Sequence, residues 1–226
     1  TRKEVTEMKG QAGKVFSIAD NNPCVPGCTI SEEISSQGGF SIDVFSLAED
    51  TDISAESYGY NKLWIVEKGS MHAVGQKEDF GGLSRGQMFV TPVNTPVGVR
   101  ADKDTVYTEI ALKEDTEMNK IVKAGDTFAL KEMLPYQEGK IVNMDLINDP
   151  HMKFVLMSFD QGTGLSEHAA PGEALIFALD GEAVIGYEGE EHTIHAGENF
   201  KFDKMGRHYV RADKRFKMAL LLELEA

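Results

Sequence analysis

Apolar residues in this chain come in short runs and alternations, and almost nowhere at helical spacing. Phe154–Phe159 (FVLMSF) and Ala174–Leu179 (ALIFAL) are continuous apolar runs of strand length. Ala183–Tyr187 and His192–His195 alternate instead, and Glu188-Gly189-Glu190 between them is a hairpin signal. Phe216–Leu222 is a further apolar run. Such segments recur about every 10 residues with glycine-rich turns between them, which predicts an all-β sandwich or barrel. The polar stretch Asp115–Ala124 reads as a linker, and Thr127–Leu134 as a place for a helical turn.

The pattern occurs twice. At an offset of 112 residues Phe16 falls on Phe128, Gly27 on Gly139, Ser46 on Ser158, Ser54 on Ser166 and Gly69 on Gly181. Apolar positions follow, Ile42 on Phe154 and Val44 on Leu156. Beyond Phe80–Gly82 the offset becomes 111, which aligns Gly86 with Gly197, Phe89 with Phe200 and Arg100-Ala101-Asp102 with Arg211-Ala212-Asp213. The glycines coincide where turns need a positive φ or a tight reversal. A period this long describes a duplicated domain, not a solenoid unit. The predicted organisation is one barrel over 1–113, a linker over 114–124 and a second barrel over 125–226. Lys14–Ile18 and Thr127–Leu130 precede the first strong strand of each copy and are candidates for segments exchanged between the copies.

Composition narrows the function. With 226 residues, 41% hydrophobic and 27% charged, the chain is long enough for two packed domains of about 100 residues each. A net charge of −14 disfavours nucleic acid and anionic membrane surfaces as partners. No apolar run approaches the roughly 20 residues that span a bilayer. Thr1–Gly10 is polar and lacks a signal-peptide core, so a cytoplasmic location is expected. Cys24 and Cys28 lack the spacing and the second pair of a zinc site, and reduced thiols are expected.

Two stretches carry a resemblance. Gly164-Leu-Ser-Glu-His168-Ala-Ala-Pro-Gly-Glu173-Ala-Leu-Ile-Phe-Ala-Leu-Asp-Gly181 and Gly197-Glu-Asn-Phe-Lys-Phe-Asp-Lys-Met-Gly-Arg-His208 resemble the two motifs of the cupin superfamily. His168–Ala174, with the lead-in Tyr136-Gln-Glu-Gly139 and the tail Arg215–Met218, is similar to a group of small single-barrel cupins of uncharacterised function. The match covers about 100 residues of the second half. The first half inherits it through the repeat and keeps Pro92-Val-Asn-Thr-Pro96 as its second-motif turn. The resemblance implies an all-β bicupin: two cupin jelly-roll antiparallel β-barrels related by internal duplication and paired as an intrachain pseudo-dimer. A homodimer of the whole chain stays open.

In that superfamily three histidines and one glutamate hold a divalent metal inside the barrel, and such a donor set suits Fe, Mn, Ni, Cu or Zn. By resemblance those positions are His168, Ala170, Ala174 and His208 in the second half, so two ligands remain. Glu173, one residue before the acidic position, is the candidate third ligand. Strand alternation turns it outward unless the Pro-Gly turn before it shifts the parity. Ala170, Ala174, Met205 and Phe177 are the expected lining of a ligand pocket. In the first half the same four positions are Glu56, Tyr58, Lys62 and Val97, and a lysine ammonium there would repel a metal. Tyr58, Tyr60 and Trp64 either stack on a small ligand or fill the core. Three functions fit. The favoured one is binding of a small molecule in the C-terminal barrel without chemistry, since no nucleophile–base motif is recognisable. The second is a metal-dependent isomerase, lyase or dioxygenase using His168 and His208, with Glu173 as ligand or base. The third is a structural pseudo-dimer with vestigial sites.

Overall fold

The computed structural model describes residues 7–224, and its elements are overwhelmingly strands. In chain order they are β1 (Val15–Phe16), α1 (Ile18–Asn21), β2 (Thr29–Gln37), β3 (Phe40–Leu47), β4 (Asp52–Glu56), β5 (Lys62–Lys68) and β6 (Ser70–Gly75). Then come β7 (Asp79–Ser84), β8 (Gln87–Val90), β9 (Val97–Ala101), β10 (Thr105–Ala111) and β11 (Thr127–Ala129). After a 3-10 turn at Leu130–Glu132 follow β12 (Ile141–Asn148), β13 (Met152–Phe159), β14 (Thr163–Ala169) and β15 (Gly172–Tyr187). The chain closes with β16 (Glu190–His195), β17 (Asn199–Phe202), β18 (Arg207–Ala212) and β19 (Phe216–Leu224). No helix among the described residues is long and apolar enough to cross a membrane.

The strands build two compact units. The first comprises Ile18–Thr116 and Lys120–Ala129; the second comprises the described residues up to Ser17, Glu117–Asn119 and the chain from Leu130 onward. In the first unit a six-stranded sheet runs β11-β8-β5-β10-β3-β2, and a smaller one runs β4-β9-β6-β7. The second unit repeats that order as β1-β17-β15-β19-β13-β12, while β14, β18, the far end of β15 and β16 take the places of β4, β9, β6 and β7. The short leading segments are exchanged: Val15–Phe16 pairs with β17, and Thr127–Ala129 pairs with β8. The stretch expected to make a helical turn is therefore an edge strand followed by a 3-10 turn. The barrels expected from the sequence are not closed. Each unit is a jelly roll of open, twisted sheets packed face to face.

The large sheets carry apolar residues on both faces. In β10 every residue is buried, because it lies centrally between β3 and β5. In the first unit the core between the sheets gathers Leu47, Trp64, Val66, Met71, Phe89, Val97, Val99 and Tyr107. In the second it gathers Phe159, Ile176, Ile185, Phe200, Phe202, Phe216 and Met218. Two glycines show why the repeat is kept at its turns. Gly69 (φ 80°) and Gly181 (φ 72°) both turn from the large sheet into the small one. A Cβ at Gly69 would collide with the Asp104 carbonyl, and one at Gly181 with the Arg215 carbonyl. The hairpin signal at Glu188-Gly189 is a turn with two successive positive φ angles, 47° and 87°, the geometry that matches strand twist.

Candidate functional site

The residues singled out in the second half come together only in part. His168 and His208 are ladder partners across β14 and β18, and their rings lie 4.3 Å apart. Each Nδ1 sits 2.8 Å from a carbonyl oxygen two residues back, that of Ser166 for His168 and of Gly206 for His208. An acceptor there fixes the proton on Nδ1 and leaves each Nε2 with a lone pair. The two sites differ in depth. His168 is exposed at the rim, while His208 is 6% exposed and stacked on Phe202 at 4.0 Å and 19°. Burial lowers the His208 pKa, the Gly206 carbonyl opposes this, and the neighbouring His168 lowers it further.

Glu173 does not join them. Alternation along β15 puts Ala174, Ile176 and Ala178 into the core cluster and turns Glu173, Leu175 and Phe177 to the opposite face. There Glu173 pairs with Lys201 at 2.8 Å and accepts the Met8 N–H at 2.8 Å. Phe177 packs edge-on against Phe154, so it lines no pocket with Ala174. Met205 lies in the positive-φ region (63°), is 60% exposed, and donates its backbone N–H to the Ala170 carbonyl at 2.9 Å. Ala170 and Met205 thus meet at the rim through backbone. Ala174 is the ladder partner of Phe202, and the room a small side chain leaves there is filled by aromatic packing. Among the described residues no group of three His, Cys, Asp or Glu is placed to hold a metal. The donor set that the fold implies is therefore two imidazoles, with its carboxylate engaged elsewhere, and does not fit a resident metal.

A cavity lies instead in the first unit, where the resemblance had left no histidine. Its volume is about 160 Å³, and Glu56, Tyr58, Lys62 and Val97 all line it. Val97 faces Glu56 across β4 and β9 as His208 faces His168. Two wall residues, Thr91 and Val97, are smaller than their counterparts Phe202 and His208. Thr91 stands at the position of Phe202 by the 111-residue offset, and its hydroxyl accepts the Lys62 backbone N–H at 2.8 Å. Phe45, Trp64 and Tyr107 form an aromatic wall, with Phe45 and Tyr107 stacked at 5.0 Å and Trp64 tilted against Tyr107 at 5.8 Å.

Its polar groups are ordered around one lysine. Lys62 Nζ lies 2.9 Å from Glu109 Oε1 and 3.8 Å above the centre of the Tyr58 ring. Trp64 Nε1 donates to the other Glu109 oxygen at 2.7 Å. Burial works against the Lys62 ammonium, yet the Glu109 carboxylate outweighs it and holds the amine above its ordinary pKa. The charged form of Lys62 is thereby favoured, which works against a nucleophilic amine. Tyr58 donates its hydroxyl to Glu56, which raises the phenol's pKa, with burial adding to the rise. Asp43, cross-strand partner of Glu109, is raised by its own burial, against which its bond from Ser41 works. Tyr107 is 1% exposed, and its hydroxyl has no hydrogen-bond partner among the described residues. Burial and then the Glu109 carboxylate push its pKa well above the ordinary value, so it remains a neutral donor. Sequence reasoning missed Glu109, Tyr107 and Thr91. The signal was available in the repeat, since these positions read Leu220, Met218 and Phe202 in the second half.

Comparison with known proteins agrees with this architecture. The family model described as the cupin domain matches residues 155–222. A cupin 2 conserved barrel domain protein from Leptotrichia buccalis is 27% identical with a TM-score of 0.85, covering 96% of this chain and 100% of that one. A point mutant of the salicylate 1,2-dioxygenase from Pseudoaminobacter salicylatoxidans, in complex with gentisate, is 11% identical with a TM-score of 0.64, covering 96% and 83%. No curated protein matches the chain. The chain is an all-β protein with the cupin fold, and its residues 155–222 are similar to the cupin domain.

Proposed function

We propose that this protein is a two-unit cupin, descended from one duplicated sequence, that binds a small molecule in its first unit without transforming it. The observation that carries the reading is the cavity itself. It lies at the four positions that the cupin resemblance assigns to a metal site, walled by Phe45, Trp64 and Tyr107, and it exposes the unpartnered Tyr107 hydroxyl to whatever enters. A hydroxyl that faces a cavity offers a donor that a ligand oxygen or nitrogen can take up. The repeat and the matched strand orders support the duplication. The alternative of a metal-dependent enzyme at His168 and His208 has only the two adjacent imidazoles in its favour, and Glu173 is held by Lys201 on the other face.

The test is a thermal-shift screen of a small-molecule library against the wild type and Thr91→Phe. Phenylalanine is the residue that fills the equivalent place in the second unit, so Thr91→Phe should close the cavity while keeping the fold. Hits that stabilise the wild type and not Thr91→Phe support binding at this site. A screen without hits, or hits that stabilise both proteins equally, refutes it. Tag-free protein analysed for metal separates the enzyme reading: stoichiometric metal lost in His168→Ala would favour it.

A further inference from the structure

The cavity in the first unit occupies the place of a metal centre but is arranged around the chain's own amine. Lys62 stands at the acidic-ligand position, Tyr58 and Glu56 at the two first-motif positions and Val97 at the second-motif position. Lys62 Nζ is seated on Glu109 at 2.9 Å and over the Tyr58 ring at 3.8 Å, with side-chain exposures of only 13% for Lys62 and 8% for Glu109. A buried carboxylate with an aromatic face beside it is a cation site. Resting on the binding reading above, we propose that Lys62 is a tethered cation that takes the place of a metal ion here, and that it selects an uncharged ligand bearing a carbonyl or hydroxyl oxygen. That oxygen accepts from the lysine ammonium and from the Tyr107 hydroxyl.

Charge decides the class. Glu109 already neutralises Lys62, so the remaining wall charge comes from Glu56, with Asp43 behind the wall beside Glu109, and is negative or zero. A ligand carboxylate would enter against these groups and against a chain of net charge −14. A ligand cation would compete with an ammonium held at effectively high local concentration by its own backbone. A neutral acceptor meets neither obstacle.

The tethered cation is tested by chemical rescue in the whole protein. Lys62→Ala removes three methylenes and the ammonium, the shape of n-propylammonium. We expect n-propylammonium chloride to raise the melting temperature of Lys62→Ala several degrees beyond sodium chloride at equal ionic strength. The wild type and Lys62→Ala/Glu109→Gln should show no such excess. Equal effects of the two salts overturn the proposal. Should Lys62→Ala fail to fold, Lys62→Met/Glu109→Gln is compared with Lys62→Met: a more stable double variant supports the paired cation site, and an equally unstable one overturns it. The ligand class is tested by calorimetry with benzamide and benzoate, two probes of one shape and different charge. Benzamide should bind at least tenfold more tightly, and benzoate binding as well or better overturns the class. If neither probe binds while n-propylammonium still rescues, the ligand class is refuted and the tethered cation stands. The binding reading itself is judged separately by the Thr91→Phe screen.

Discussion

Lys201→Met is the sharpest test of how Glu173 is used. Lys201 Nζ lies 2.8 Å from Glu173 Oε1 with side-chain exposures of 5% and 12%, so both ions are largely out of water. At an effective dielectric near 20 the pair attracts by on the order of 6 kcal/mol before either ion's desolvation is counted. Removing one partner of such a pair costs about 3–5 kcal/mol, because the other is left buried and uncompensated. The lower end applies here, since Glu173 keeps the Met8 N–H at 2.8 Å. The second contact, Lys201 to Asp203 at 3.1 Å, adds less than about 1 kcal/mol, as Asp203 is 59% exposed. Lys201→Met should therefore lose about 3 kcal/mol in urea unfolding at neutral pH, and Lys201→Met/Glu173→Met should recover most of it. The pH dependence has a definite sign. Burial lowers the Lys201 pKa, but Glu173 and Asp203 raise it more, so the net folded value lies above 10.5. On the lysine side, the pair's contribution is full below 10.5 and fades as pH rises through the folded value. A single-variant loss under about 1 kcal/mol, additive with Glu173→Met, would refute the reasoning and free Glu173 for the histidines.

Three further outcomes follow from the same geometry. His208 has its pKa lowered from 6.5, so the unfolded chain binds the extra proton first, and stability should fall as pH drops from 6.5 toward the folded value; chemical unfolding from pH 8 to 5 should show a slope that His208→Gln flattens, and an unchanged slope would count against it. Gly181→Ala should cost more than about 2 kcal/mol by colliding with the Arg215 carbonyl, whereas Gly189→Ala, with a similar φ and nothing within 4 Å, should cost about 1 kcal/mol; equal losses by calorimetry would be inconsistent with the collision. Phe202→Thr should open a cavity beside His208 at a cost of about 3–5 kcal/mol, and an increment below about 1 kcal/mol would mean that Phe202 does not fill the second core.

What could be read from the sequence was the part written in periodicity and glycines. The apolar runs became β13, β15 and β19, the Glu188-Gly189 signal became a hairpin, and the glycines at 69 and 181 occupy like turns. The pairings of the two leading segments, Val15–Phe16 with β17 and Thr127–Ala129 with β8, agree with the exchange expected from where each half of the strand pattern begins. Closure of the sheets was not legible, because an open jelly roll and a barrel share one strand pattern. The arrangement around the candidate site was not legible for a specific reason. A motif names ligand positions and carries no information on the volumes opposite them. Ala170 and Ala174 suggested room, yet room is set by the residues across the core, and there Phe202 faces Ala174. Glu173 was decided by β-parity, which the preceding Pro-Gly turn did not disturb.

The two units thus fill equivalent interior positions in opposite ways. In the second, Phe202 and Met218 project inward, the carboxylate position is Ala174, and the histidines sit over a packed aromatic core. In the first, Thr91 and Tyr107 stand at those places, Lys62 replaces Ala174, and Glu109 replaces Leu220 to balance it. Neither half of this exchange is tolerable alone: a lysine beside Phe202 and Leu220 would be a buried unpaired charge, and Glu109 without Lys62 would be another. Lys62, Glu109 and Trp64 form one connected unit through the 2.9 Å and 2.7 Å contacts, so the polar interior has to be kept as a set. A set of this kind adds little net stability over an apolar core of the same volume. Its presence beside an open cavity, in the unit that carries no histidine at the motif positions, is what the binding proposal rests on.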